Sequence, residues 1–165
     1  MKLYDLYTSK FKFKKPNILE IGVRHGGSLL CYKSVFQDAN IFGVDINSRC
    51  KLLEKYGFHI LIGSQNDDLF LSSIKNTVNN LDIIIDDGSH IYDHIYKSYM
   101  YLFPLLNDGG LYVIEDLHKG ELDYKKLFNF DVDEIIVYDE ICFIKKTINA
   151  NKNKVTNNIG SLKYS

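Results

Sequence analysis

The sequence predicts an α/β fold, a doubly wound and mostly parallel sheet of seven strands that closes with an antiparallel hairpin. Two observations carry that prediction. Short apolar runs alternate with stretches of helical periodicity as far as residue 114. Near the end, two strand-like runs are separated by only Asp139-Glu140, far too short for a crossover between parallel strands. At 165 residues, 45% hydrophobic and 25% charged, the chain has the length and composition of one domain with a sizeable core.

The first strand is predicted at residues 17–23, where Ile18, Leu19, Ile21 and Val23 follow Pro16 and run into a glycine-rich turn. From Ser28 the apolar residues Leu29, Leu30, Tyr32, Val35 and Phe36 recur at helical spacing, and Asn40–Asp45 completes a βαβ unit. The alternation continues with a helix over about 49–56, a strand at 58–62, a helix over about 68–75 and a fourth strand at 81–85. A long helix over about 93–106 leads to an Asn107-Asp108-Gly109-Gly110 turn and a fifth strand at 111–114. Parallel strands need long right-handed crossovers, so helices fall on both faces and the sheet is Rossmann-like. Val132–Tyr138 and Ile141–Lys146 form the hairpin at one edge. Residues 1–147 read as a single domain, with 2–9 a helix that covers the sheet or carries a partner contact. Residues 148–165, with Asn149, Asn151, Asn153, Asn157 and Asn158 among lysines, predict a flexible polar tail.

A formal net charge of -1 supplies no general attraction to nucleic acid or to an anionic membrane. No apolar run reaches the length of a membrane span, and the first fifteen residues alternate aromatics with lysines instead of forming a signal segment. The expectation is a cytoplasmic protein. Cys31, Cys50 and Cys142 are widely spaced and predict reduced thiols, not a disulfide framework or a metal cluster.

In such sheets ligands bind outside the carboxyl ends of the strands. The first loop, Gly22 to Gly27, carries Arg24 where a dinucleotide fingerprint needs glycine for close approach to a pyrophosphate. It is either a tight turn or a rest for a phosphate-free cofactor against Gly22, Gly26 and Gly27. Glu20, inside an apolar run, needs a buried salt bridge, hydrogen bonds or a cationic ligand group to offset its desolvation. Asp45 ends strand two, where a carboxylate can accept both hydroxyls of a ribose. Gly63-Ser64-Gln65 offers polar groups to a purine edge, or simply caps a helix.

Asp86-Asp87 and Glu115-Asp116 follow strands four and five, which as sheet neighbours lie about 4.8 Å apart. Four carboxyl groups at one mouth call for a cation or protonation, unless each pair only caps a helix. Oxygen ligands without cysteine favour a hard ion such as Mg²⁺. His90, three residues beyond Asp87, is placed to act as a general base. His94 reads as an exposed helix residue, His59 as strand edge, and His25 and His118 as loop residues with weaker claims. Tyr92, Tyr96 and Tyr99 read as core packing, with an oligomer interface or a sugar-stacking stripe as the alternatives.

Glu-x-Gly, the acidic end of strand two and the final hairpin resemble the class I S-adenosylmethionine-dependent methyltransferases over about residues 16–147. More narrowly, Leu19-Glu20-Ile21-Gly22, Gly26-Gly27-Ser28, Asp86-Asp87-Gly88-Ser89-His90 and Ile114-Glu115-Asp116 are similar to the metal-dependent sugar O-methyltransferases of macrolide biosynthesis and their cephalosporin hydroxylase-like relatives. The resemblance implies an S-adenosylmethionine- and Mg²⁺-dependent O-methyltransferase acting on a hydroxyl of a saccharide or other small polar acceptor. It implies that Asp87, Glu115 and Asp116 hold the ion and that His90 is the base. Glu20, Gly22, Gly26, Asp45, Ser64 and Gln65 would surround the methyl donor, with Asp86 near its amino group. Ser64 stands where the family usually has aspartate, which is expected to weaken adenosine recognition. The amino-terminal extension that helps enclose macrolide sugars is not in this sequence, so the expected acceptor is not a macrolide. A degenerate donor-binding module and a dinucleotide enzyme are the alternative readings, and a homo-oligomer that completes the pocket is a further expectation.

Overall fold

The computed structural model describes residues 2–12, 14–117, 126, 130–147 and 159–161. Among these, strands β1 (Asn17–Ile21), β2 (Asn40–Asp45), β3 (His59–Ile62), β4 (Leu81–Asp86), β5 (Leu106–Ile114), β6 (Val132–Tyr138), β7 (Ile141–Lys146) and β8 (Ile159–Ser161) form one sheet in the order β3-β2-β1-β4-β5-β7-β6-β8. The first five strands are parallel, and β7 runs antiparallel to both β5 and β6. The order reverses at β1, whose neighbours are β2 and β4. This is the topological switch at which doubly wound sheets bind ligands.

The helices are α1 (Lys2–Thr8), α2 (Gly27–Val35), α3 (Asp68–Ile74) and α4 (Tyr92–Leu102). Alternate strand residues feed two cores on opposite faces. Leu19, Ile84, Tyr99, Phe103 and Tyr112 belong to one, and Ile18, Ile83, Ile85, Val113 and Phe143 to the other. Helix α1 covers the second face, with Tyr7 stacked on Phe143 at 4.6 Å and Tyr4 edge-on to it at 5.6 Å. Tyr99 is fully buried, and Tyr92 and Tyr96 pack partly buried against the same cluster, so core packing is the role of that stripe.

Four elements differ from the sequence expectation. Helix α4 stops at Leu102 because Pro104, with no backbone N–H, falls in the 3₁₀ turn Phe103–Leu105. The glycines predicted as a turn lie inside β5, where the pairing with β4 shifts register between Leu81 and Ile83 and Gly109 takes φ 71°, so the strand absorbs them as a bulge. Ser48–Tyr56 is 3₁₀ instead of α, with Cys50 as its buried residue and little packing to favour the wider helix. Ile159–Ser161 adds an eighth strand, parallel to β6, within the predicted tail. The outer edge of β6 presents unpaired backbone groups that a short strand can satisfy. Residues 148–158 and 162–165 of that tail lie outside the described residues. No described helix is long and apolar enough to cross a membrane.

Candidate active site

The loops after β1, β2, β4 and β5 meet around a cavity of about 940 Å³ lined by Gly22, Arg24, Asp45, Asp87, His90 and Asp116. Contact between the β1 and β4 loops shapes it. Asp87 N–H donates to the Ile21 carbonyl at 3.0 Å, and Gly22 N–H donates to the Val44 carbonyl at 2.8 Å. A Cβ on Gly22 would stand 1.9 Å from the Asp87 carbonyl oxygen, and its φ of 92° is one that side chains disfavour, so both space and conformation require glycine there. Arg24, His90 and Asp116 have φ of 52°, 57° and 52°. Left-handed conformations cost non-glycine residues on the order of 1–3 kcal/mol each, and such strain gathers at functional sites. All three residues line this one cavity. Asp45 organises the neighbouring loop, accepting from Arg24 N–H at 2.8 Å and Asn47 N–H at 2.7 Å.

At the mouth, one ligand atom each from Asp87, His90 and Asp116 lies within 4.8 Å of the others. His90 Nε2 is 4.0 Å from Asp87 Oδ1 and 3.8 Å from Asp116 Oδ2. These separations are too long for hydrogen bonds but suit groups gathered around a small hard cation with ligand distances of about 2.0–2.1 Å. His90 Nδ1 is buried without a hydrogen-bond partner among the described residues. Burial pushes the Asp87 carboxyl up to about 6, the charge of Glu115 adds to this, and His90 opposes it. A divalent cation would relieve that crowding, so the donor set fits Mg²⁺.

Glu115 is not in that group. Its Oε1 accepts a hydrogen bond from the Tyr4 hydroxyl, and its side chain lines a second, more apolar cavity of about 330 Å³ between α1 and α2. Asp86 is also displaced from its expected place by the donor. As the next residue along the strand from Asp87 it points to the opposite face. There its buried carboxylate accepts from Ser98 Oγ at 2.5 Å, Gln65 Nε2 at 3.1 Å and the Tyr112 hydroxyl at 3.2 Å, and it lines neither main cavity loop. Gln65 is likewise buried and committed, its Oε1 accepting from Ser89 N–H at 2.6 Å. With Ser64 and Gly88 it borders a third cavity of about 270 Å³ that shares Gly22 and Asp45 with the first. Sequence reasoning missed His94 there. It lines this cavity half-buried, with Nδ1 2.9 Å from Ser89 Oγ, instead of facing solvent. His25 lines the first cavity from an exposed position, His59 stacks on Phe42 at 4.9 Å, and His118 lies outside the described residues.

Glu20 is 1% exposed and accepts from Ser28 Oγ at 2.7 Å and the Tyr32 hydroxyl at 3.3 Å. Hydrogen bonds are therefore its partners in this structure. Burial raises its carboxyl from 4.5 to about 7, against the lowering effect of the Ser28 bond. Between those values the folded chain keeps a proton that the unfolded chain has lost, so stability falls as pH rises through the window. The contribution of Glu20 to that fall is on the order of 2–3 kcal/mol. Urea unfolding at pH 5 and pH 8 should show a smaller decline for Glu20→Gln than for the wild type, and equal declines would contradict the assignment.

Residues 7–129 match the family model described as Rhamnosyl O-methyltransferase/CmcI. The chain is 36% identical over 121 residues to the 8-demethyl-8-alpha-L-rhamnosyl tetracenomycin-C 2'-O-methyltransferase of Streptomyces olivaceus, a match covering 69% of this chain and 32% of that protein. It is 40% identical over 121 residues to the mycinamicin VI 2''-O-methyltransferase of Micromonospora griseorubida, covering 69% and 30% respectively. The chain thus spans roughly a third of the length of these relatives. Among solved structures it is similar to the MycE methyltransferase from the mycinamycin biosynthetic pathway in complex with Mg and SAH. That match has a TM-score of 0.79 and 30% identity, and covers 94% of this chain and 51% of the other. Similarity to the fibrillarin/Nop5p complex, at TM-score 0.55 and 16% identity, is one of fold alone.

Proposed function

This chain belongs to the rhamnosyl O-methyltransferase/CmcI family, and from that membership we propose that it transfers a methyl group from S-adenosylmethionine to a hydroxyl of a saccharide or other small polar acceptor, with Mg²⁺ as cofactor. The observation that carries this reading is the Asp87, His90 and Asp116 group at the mouth of a glycine-built cavity. Similarity to relatives named as O-methyltransferases, one of them of a rhamnosyl tetracenomycin-C, and to a structure in complex with Mg and SAH supports it.

Asp87, Glu115 and Asp116 would hold the ion, and Gly22, Gly26, Asp45, Ser64 and Glu20 would surround the donor. When bound, Mg²⁺ supplies Lewis-acid polarisation of an acceptor oxygen and the donor supplies an electrophilic methyl group. His90 Nε2 takes the proton of the acceptor hydroxyl, and the carboxylates of Asp87 and Asp116 stabilise the imidazolium so formed. Asp45 accepts ribose hydroxyls; each of its oxygens already receives one backbone N–H, and a carboxylate has about four lone-pair sites in all. Gly22, without a side chain, lets the Asp87 backbone close against the β1 loop at the cavity wall. Glu20, buried and bonded to Ser28 and Tyr32, would offer its carboxyl to the cationic end of the donor. Asp86 and Gln65 hold the β3 and β4 loops together and act on the donor through that support. Three free cysteines and a net charge of -1 accord with a cytoplasmic setting.

The test is transfer of labelled methyl groups to a panel of saccharides, with and without a metal chelator. Transfer should cease in chelator and return with added Mg²⁺. Full activity in chelator would remove the metal from this account. In calorimetry Asp87→Asn should bind Mg²⁺ at least about tenfold more weakly than the wild type.

A further inference from the structure

Tyr4 connects α1 to the candidate active site across 111 residues of sequence. Its ring packs half-buried and edge-on against Phe143, and its hydroxyl donates to Glu115 Oε1. A phenol partly withdrawn from water favours a hydrogen-bond partner, and with α1 docked on the sheet that partner is Glu115. The Glu115 backbone N–H donates to the Asp86 carbonyl at 3.0 Å. Glu115 is thus held at both ends, its backbone by β4 and its carboxylate by α1. The Tyr4 bond takes one carboxylate oxygen and leaves Oε2.

We propose that Tyr4 is a positioning residue for the cation site, its hydroxyl fixing Glu115 so that Oε2 is offered to the ion held by Asp87 and Asp116. The inference rests on the reading of those three carboxylates as ligands. Carboxylates that bind metals are themselves usually hydrogen-bonded, and those outer partners set both their orientation and the affinity. Glu115 stands between the two sites: its chain neighbour Asp116 lines the first cavity, while Glu115 itself lines the second beside Tyr4. Ion binding and the docking of α1 then favour one another.

Mg²⁺ binding to the full chain, measured by calorimetry and by Mn²⁺ paramagnetic resonance, tests this with four variants. Tyr4→Phe keeps the ring against Phe143 and loses only the hydroxyl. It should weaken binding by about 10- to 100-fold. Tyr7→Phe, on the same helix and stacked on the same ring, should bind as the wild type does. Glu115→Gln should weaken binding by itself, and adding Tyr4→Phe to it should cost nothing more, because the hydroxyl acts through that carboxylate. Wild-type affinity in Tyr4→Phe, tighter binding there, or additive losses in the double variant would each overturn the proposal. If the wild type binds no Mg²⁺, or Asp87→Asn binds it undiminished, the metal reading itself falls and takes this inference with it.

Discussion

Replacing His90 by alanine should lower turnover by about 10²- to 10⁴-fold, the range a positioned general base supplies. Binding of S-adenosylmethionine and of Mg²⁺ should stay within about twofold of the wild type, because the lost interaction is one made in the transition state. The geometry makes the separation measurable. His90 Nε2 faces Asp87 and Asp116 at 4.0 and 3.8 Å, beyond hydrogen-bond reach, and is free to take a proton from a hydroxyl placed in the cavity. The same distances would also let the imidazole ligate the ion. That reading predicts a large loss of Mg²⁺ affinity in His90→Ala, so calorimetry beside the kinetic assay decides between base and ligand. Unchanged turnover would remove His90 from the chemistry altogether.

The second large effect is expected at a residue with no functional group. Gly22→Ala should destabilise the fold by about 2–5 kcal/mol, since the new Cβ overpacks the β4 loop and the backbone is left in a disfavoured conformation. The nearest atoms to that Cβ, at 1.9, 2.6 and 2.9 Å, belong to the backbone of Asp87 and Gly88, which cannot swing aside as a side chain can. Relief requires the Asp87 loop to move, so donor and metal binding should fall together by more than about tenfold. Gly27→Ala is the control. Nothing lies within 4 Å of its Cβ, and as the first residue of α2 it should be neutral or stabilising by up to about 1 kcal/mol. Chemical denaturation and calorimetry of both variants check the pair; a Gly22→Ala protein as stable as Gly27→Ala would contradict the close approach of the two loops.

The parallel sheet was legible because its signal is local. Ile18-Leu19 and Ile83-Ile84-Ile85 are short apolar runs that end in loops rich in glycine and acid, and both lie at the centre of the sheet. Asp87, His90 and Asp116 were legible for the same reason, since strand ends put them at one mouth. Boundaries that depend on packing were not. The extent of β5 turned on a bulge against β4, and the form of Ser48–Tyr56 turned on how little of it is buried. Within Asp86-Asp87, strand alternation sends one carboxylate to the cavity and the other to Ser98 and Tyr112, a division the dipeptide itself contains once the strand's end is known. His94 lies in the first turn of α4, five residues from Ser89, and the bend between them brings the two side chains together beside the third cavity. The bond from Tyr4 to Glu115 has no local signal, because it depends on how α1 docks on a sheet formed by residues far along the chain.

On the function proposed above, the cavity at the β1 switch point receives a methyl donor and not a dinucleotide. Arg24 stands where a pyrophosphate would need glycine, and its backbone N–H is held by Asp45. Calorimetric titration with S-adenosylmethionine, with and without Mg²⁺ and with NAD as the comparison ligand, separates the two. Saturable binding of S-adenosylmethionine with no measurable heat from NAD is expected. Binding of NAD in preference, or no binding of the methyl donor under either condition, would contradict it.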